Sequence, residues 1–191
     1  MRNAVPAYYQ RHLLPHKSRL SSRASIRRSG RKDWWGLMEA RSWSLERSPK
    51  IVSKYFSGEG GFFVDERAEY LPSTGFAWLP KPPLERGLDG DFTIQRILLS
   101  YSSLFNSAVF GRLLQYYAPH VSGGQFDLSP RYVDDVPLPN LTELSADPVR
   151  GVRVRWLADF AEASQGTSSP SEDEKESIVA DIYGPQIIAA L

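Results

Sequence analysis

Residues 91–117 read DFTIQRILLSYSSLFNSAVFGRLLQYY, and along them the apolar spacing changes from the alternation of a strand to a period near 3.6. Ile94, Ile97, Leu98, Tyr101, Phe105, Val109, Leu113 and Tyr117 fall on one helical stripe, which predicts the helical wall of a core. Asn106-Ser107 in the middle can cap a new helix. The spacing therefore suits two helices meeting near Asn106 as well as one long helix.

Upstream, the pattern is that of short strands separated by turn residues. Ile51-Val52 opens a buried strand after Pro49, Gly58-Glu59-Gly60-Gly61 is a turn, and Phe62-Phe63-Val64 is a second strand. A third runs from Gly75 to Leu79 and is closed by Pro80, Pro82 and Pro83, which cannot donate to a ladder. Residues 5–23 predict a helix bent at Pro15 with a cationic polar side, followed by a turn-prone link over 25–32. Downstream, residues 122–128 are a turn leading into a short strand, and 129–136 are a local element ended by Pro137-Leu138-Pro139. A helix or helix pair split around Pro148 covers 141–163, and a Gly/Ser/Thr/Pro linker covers 165–171. Ser171 with Glu174 then forms a capping box, with acids placed where the helix dipole favours them.

The formal net charge of +1 hides a gradient. Residues 1–54 hold 13 Lys/Arg and 3 Asp/Glu, leaving 10 and 19 of the totals of 23 and 22 for the rest. The front of the chain is thus suited to an anionic partner. A solvated basic face or a disordered arm is the plainer reading, but Trp34, Trp35 and Trp43 are interleaved with the cations, and disordered arms seldom carry tryptophan. No run of eighteen apolar residues or signal-peptide pattern occurs, so the expectation is a cytoplasmic protein with no membrane partner. The chain has no cysteine, which excludes disulfides, thiolate nucleophiles and Cys-ligated zinc. His12 and His16 share a helix spacing but have no acid beside them, so no metal site is expected.

Catalytic motifs are missing from the sequence. An adenine methyltransferase needs a glycine-rich turn for S-adenosylmethionine and an Asn/Asp-Pro-Pro-aromatic loop for the flipped base. Residues 58–61 lack the strand-to-helix context, and Lys81-Pro82-Pro83-Leu84 lacks both the polar acceptor and the ring. Asp134-Asp135 and the acids of 172–176 read as solvated groups and a helix start, not as a magnesium site. There is no glycine elbow around a serine nucleophile.

Several phrases together resemble the C-terminal target-recognition domains of TaqI-like adenine DNA methyltransferases and of fused type IIG restriction-modification enzymes. They are Pro6-Ala7-Tyr8-Tyr9, Leu20-Ser21-Ser22-Arg23, residues 31–37, Pro49-Lys50-Ile51-Val52, Phe62-Phe63-Val64-Asp65, Leu104-Phe105-Asn106-Ser107, Gly123 through Leu128, Val136-Pro137-Leu138-Pro139, and 178–184. The resemblance implies an α+β fold, a small twisted mixed sheet with packed helices, divided into a linker helix region (1–24), a target-recognition domain (25–140) and C-terminal helices (141–191). It implies a specificity module that binds double-stranded DNA and is not an enzyme on its own. In the family a methyltransferase domain precedes this region, so that domain and its S-adenosylmethionine are expected on a catalytic partner, with no cofactor in this chain.

Arg27, Arg28, Arg31, Lys32, Lys50 and Lys54 are the expected phosphate or base contacts, and Gly123, Gly124 and Gln125 the loop approaching a groove. Each has a competing reading: a solvated strand edge for Lys50 and Lys54, a simple hairpin for 123–125, and core packing for Trp34 and Trp35. Two other functions fit the same sequence, a protein-interaction fragment that docks a methyltransferase subunit without reading DNA, and an RNA-binding module.

Overall fold

The computed structural model describes residues 2–30, 32–36, 47–58, 61–72, 74–80, 93–164 and 171–191. The chain divides into two compact units, Met1–Glu46 and Arg47–Leu191.

The first unit is helical. α1 (Pro6–Tyr8) passes into a π-helical turn (Tyr9–Leu13), a 3₁₀ turn (Leu14–His16) and α2 (Lys17–Ser21). Pro15 has no N–H to continue an α-helical ladder, and the hydrogen bonding changes on either side of it, as the sequence predicts. The link expected over 25–32 is instead partly a helix, α3 (Ala24–Ser29). Its buried Ile26 anchors it, and left-handed Gly30 (φ +62°) ends it.

The second unit is α+β. Its strands are β1 (Lys50–Lys54), β2 (Phe56–Ser57), β3 (Phe62–Asp65), β4 (Gly75–Trp78), β5 (His120–Val121) and β6 (Gln125–Asp127). One mixed sheet was expected; among the described residues two three-stranded sheets form, ordered β3-β1-β4 and β2-β6-β5, and every pairing is antiparallel. The split has a local cause. The ribbon of β1 and β2 is interrupted at Tyr55, so residues 50–54 pair with β3 and β4 while Phe56 and Ser57 pair with β6.

The helical stretch resolves as two helices, α4 (Ile94–Phe105) and α5 (Ala108–Tyr117), meeting at 72°. Thr93 caps α4 and Ser107 caps α5. The joint is finished by side chains from far along the chain. Glu176 accepts hydrogen bonds from Ala108 N (3.0 Å) and Val109 N (3.2 Å), and Ser107 Oγ accepts one from Phe110 N. The buried Lys175 donates to Asn106 O at 2.9 Å. A helix start that would leave its first amides unpaired is fully satisfied. Asn106 also closes an edge of the sheet: its Oδ1 accepts from Phe62 N and its Nδ2 donates to Phe62 O, as a neighbouring strand would.

α6 (Pro130–Val133), α7 (Leu141–Ala146), α8 (Arg150–Ala163), α9 (Glu172–Tyr183) and α10 (Pro185–Ile188) complete the unit. α8 lies along α4, where Ser100 and Ser103 donate to the carbonyls of Val154 and Leu157. Ser171 Oγ accepts from Glu174 N, the N-cap half of the expected capping box. Val154, Leu157, Val179 and Ile182 share one hydrophobic core with Ile51, Phe62 and Leu104. Residues after 140 therefore belong to the same core as the strands. At its centre Phe62 meets Trp78, Phe105 and Phe110 with ring centroids 5.2–5.8 Å apart, the spacing that aromatic pairs favour. Among the described residues no single helix is long and apolar enough to cross a membrane. Pro82, Pro83 and most of the 165–171 linker fall outside the described residues.

Candidate nucleic-acid interface

In the first unit, the described residues hold eight Lys/Arg (Arg2, Arg11, Lys17, Arg19, Arg23, Arg27, Arg28, Lys32) and one acid, Asp33. Arg27 and Arg28 lie in the last turn of α3, where a helix C-terminus favours cations. Both are exposed, as is Lys32; none of the three forms an ion pair with a described residue. Arg31 lies outside the described residues.

Arg23, absent from the predicted contacts, is structural. Its Nε donates to Leu20 O, and its Nη2 to the carbonyls of Trp34 (2.9 Å) and Gly36 (2.8 Å). This clamp fixes an aromatic cluster in which Tyr9 meets Trp34 and Trp35 at 6.1 and 6.2 Å and the two indoles pack edge-on at 5.4 Å. Trp34 is buried. Trp34 and Trp35 set this basic segment apart from a disordered arm by giving it a small core, and core packing is the reading that holds for Trp34; Trp43 lies outside the described residues.

In the second unit, Lys50 is a correction. It is 5% exposed, and its ammonium is held by Asp65. Asp65 also accepts hydrogen bonds from Glu69 N and Tyr70 N, both at 2.9 Å. Burial pushes the Asp65 carboxyl up, but the Lys50 hydrogen bond, the two backbone amides and the Lys50 charge outweigh it and hold the group below its ordinary value. A lysine so engaged is not available to a phosphate. Its partner lies fifteen residues away, on a strand whose pairing register with β1 places Lys50 opposite Asp65, and no local sequence signal marks it.

Lys54, four residues further along β1, is exposed and unpaired among the described residues. Its strand neighbour Val52 pairs with Phe63. Phe63, Tyr70 and Leu71 are 60–66% exposed, and with Val52, Lys54 and Pro72 they border an open groove of about 400 Å³. The sequence reading missed this surface, although two adjacent phenylalanines in one strand signal it, because successive side chains point to opposite faces.

Gly123 and Gly124 have φ of +83° and +72° and turn β5 back into β6, so the hairpin reading describes their backbone. A Cβ on either would meet nothing within 4 Å; the turn selects glycine for its backbone conformation and leaves its tip open. Gln125 is exposed beside them and pairs with Val121. Gly58 comes to the same place, since a Cβ on it would lie 3.5 Å from Gly124 O; Glu59 and Gly60 of the expected turn lie outside the described residues. At the other end of β6, Asp127 accepts from the backbone N–H and the hydroxyl of Ser129, whose Oγ lies 2.9 Å from Tyr55 Oη. This chain ties the bend at Tyr55 to the β6 strand. Among the described residues no three His, Asp or Glu side chains gather into a metal site. No known protein family matches the chain, and no curated protein sequence does.

Proposed function

We propose that the chain is a DNA-binding target-recognition module that serves an adenine-specific DNA methyltransferase in a cytoplasmic restriction-modification system. The carrying observation is the first unit: eight described cations against one acid, with Arg27, Arg28 and Lys32 exposed and free of ion pairs among the described residues. Such a surface suits a phosphate backbone, whose counterions it would release. The small aromatic core that orders the segment supports the same reading, because pre-placed cations lose less freedom on binding than those of a disordered arm. The open Gly123-Gly124 tip with Gln125 supplies a loop able to approach base edges, and glutamine can pair bidentately with adenine. Methyl transfer and its S-adenosylmethionine belong to a separate catalytic domain or subunit.

The test is a titration of the chain with mixed-sequence duplex DNA at several salt concentrations. Log K is expected to fall by about 0.9 per phosphate neutralised for each decade of salt. Arg27→Ala with Arg28→Ala should weaken all duplexes alike and reduce that slope by about 2. Affinity independent of salt, or unchanged by the double substitution, would falsify the assignment.

A further inference from the structure

We propose that the outer face of the β3-β1-β4 sheet binds an unpaired nucleotide, with the base stacked on Phe63 and Tyr70 and the phosphate at Lys54. The proposal rests on the reading of the chain as a DNA-binding module and adds a second contact of different chemistry.

Val52 and Phe63 are opposite partners in the β1-β3 ladder. Lys54 is two residues beyond Val52, so it shares that face and is the diagonal neighbour of Phe63, roughly 7 Å away. Tyr70 joins them through the turn that follows β3. Asp65, neutralised by Lys50, accepts the amides of Glu69 and Tyr70, and Ala68 takes a left-handed backbone (φ +54°) that alanine seldom adopts. The turn is thus held in a strained form that presents Tyr70, 66% exposed, beside Phe63, 60% exposed.

The groove these residues border has a volume of about 400 Å³, within the range of small-molecule sites. Among the described residues its single charged lining residue is Lys54; Glu66, Arg67 and Glu69 lie in the turn and do not line it. That combination selects the occupant. Lysine is depleted in the buried centres of protein–protein interfaces, whereas an exposed aromatic pair on a sheet beside one unpaired cation suits a flat base carrying an anionic phosphate. Duplex DNA keeps its bases stacked on each other, so the ligand is a single strand or a nucleotide freed from its partner.

The probe is an oligothymidylate containing one 2-aminopurine, used single-stranded and annealed to its complement. Wild-type chain should change 2-aminopurine fluorescence in the single strand and much less in the duplex. Phe63→Leu with Tyr70→Ala should weaken single-strand binding by about tenfold or more and leave duplex affinity unchanged; Lys54→Ala should weaken it less and lower its salt dependence. Arg27→Ala with Arg28→Ala should do the reverse and act chiefly on the duplex. Melting curves matching wild type establish that the groove variants fold. Undiminished single-strand binding by the folded Phe63/Tyr70 variant overturns the proposal, as does equal loss on both ligands, and either leaves the duplex reading standing if the arginine variant still fails on duplex. Single-strand binding that depends on Phe63, without any duplex binding, sustains the proposal and removes the duplex reading.

Discussion

The two faces of the β3-β1-β4 sheet carry similar residues in opposite circumstances. On the inner face Phe62 is 1% exposed and packs among Trp78, Phe105 and Phe110; on the outer face its neighbour Phe63 is 60% exposed. The outer face is itself divided, with Lys50 buried against Asp65 at one end of β1 and Lys54 open at the other. Alternation along a strand decides which face a side chain joins, and what folds over that face decides its environment. On the inner side that cover is α4 and α5. On the outer side, among the described residues, the 66–70 turn is drawn in at the Lys50 end, where Asp65 accepts its amides.

The largest effect should come from the inner face. Phe62→Ala removes the ring on which three others converge, and a loss of about 4 kcal/mol is expected in denaturant unfolding. Asp65→Ala comes next. It leaves a buried ammonium unpaired and two turn amides without an acceptor, and about 3 kcal/mol should be lost.

The same pair gives a pH signature. The native Asp65 carboxyl titrates below its ordinary value, so its contribution is fully present above the unfolded value of about 3.9. It is lost as the pH falls through that value toward the lower native one. Wild-type stability should therefore drop on acidification in this window by more than that of Asp65→Ala. Parallel curves for the two proteins would show that the ion pair contributes no such linkage.

Ser53→Ala removes the acceptor of the Trp78 indole N–H, a 2.9 Å bond on the inner face, and about 1 kcal/mol is expected. The smallest effects belong to the open part of the outer face. Phe63→Leu and Lys54→Ala should each change stability by less than about 0.5 kcal/mol. A thermal melt that put either beside Asp65→Ala would erase the distinction between the covered and open parts of this face.

Much of this arrangement could be read from the residues. The helical stripe of 94–117 follows from periodicity, and the capping residues at 106–107 allowed a break there as well as one long helix; both signals are local, and the structure takes the break. Ser171 and Glu174 likewise announced a helix start that forms as expected. Long-range pairings were not legible. Lys50 and Lys54 look alike in sequence, and only the register with β3 gives one of them a carboxylate. The two residues of β2 are too short a run to show a period, and they become a strand by pairing with β6, about seventy residues later. α3 was hidden for another reason: its serines and arginines suggest a turn, and the burial of Ile26 holds it helical. At the candidate interface, the exposed cations and the glycine turn were visible as residue types. The Phe63 groove depended on the path of a loop that a side-chain carboxylate determines.

The joint between α4 and α5 has a consequence for synthesis of the chain on the ribosome. Ala108 precedes the Glu176 that receives its amide by 68 residues. At about 5–20 residues per second, that interval lasts roughly 3–14 s. Once Tyr117 has been added, the nascent chain has both halves of its central helical corner but, until residues 175 and 176 follow, neither the ammonium nor the carboxylate that finishes them. Completion of this corner thus waits for α9, and a polypeptide released before Glu176 would emerge with its apolar corner open to chaperones and proteases.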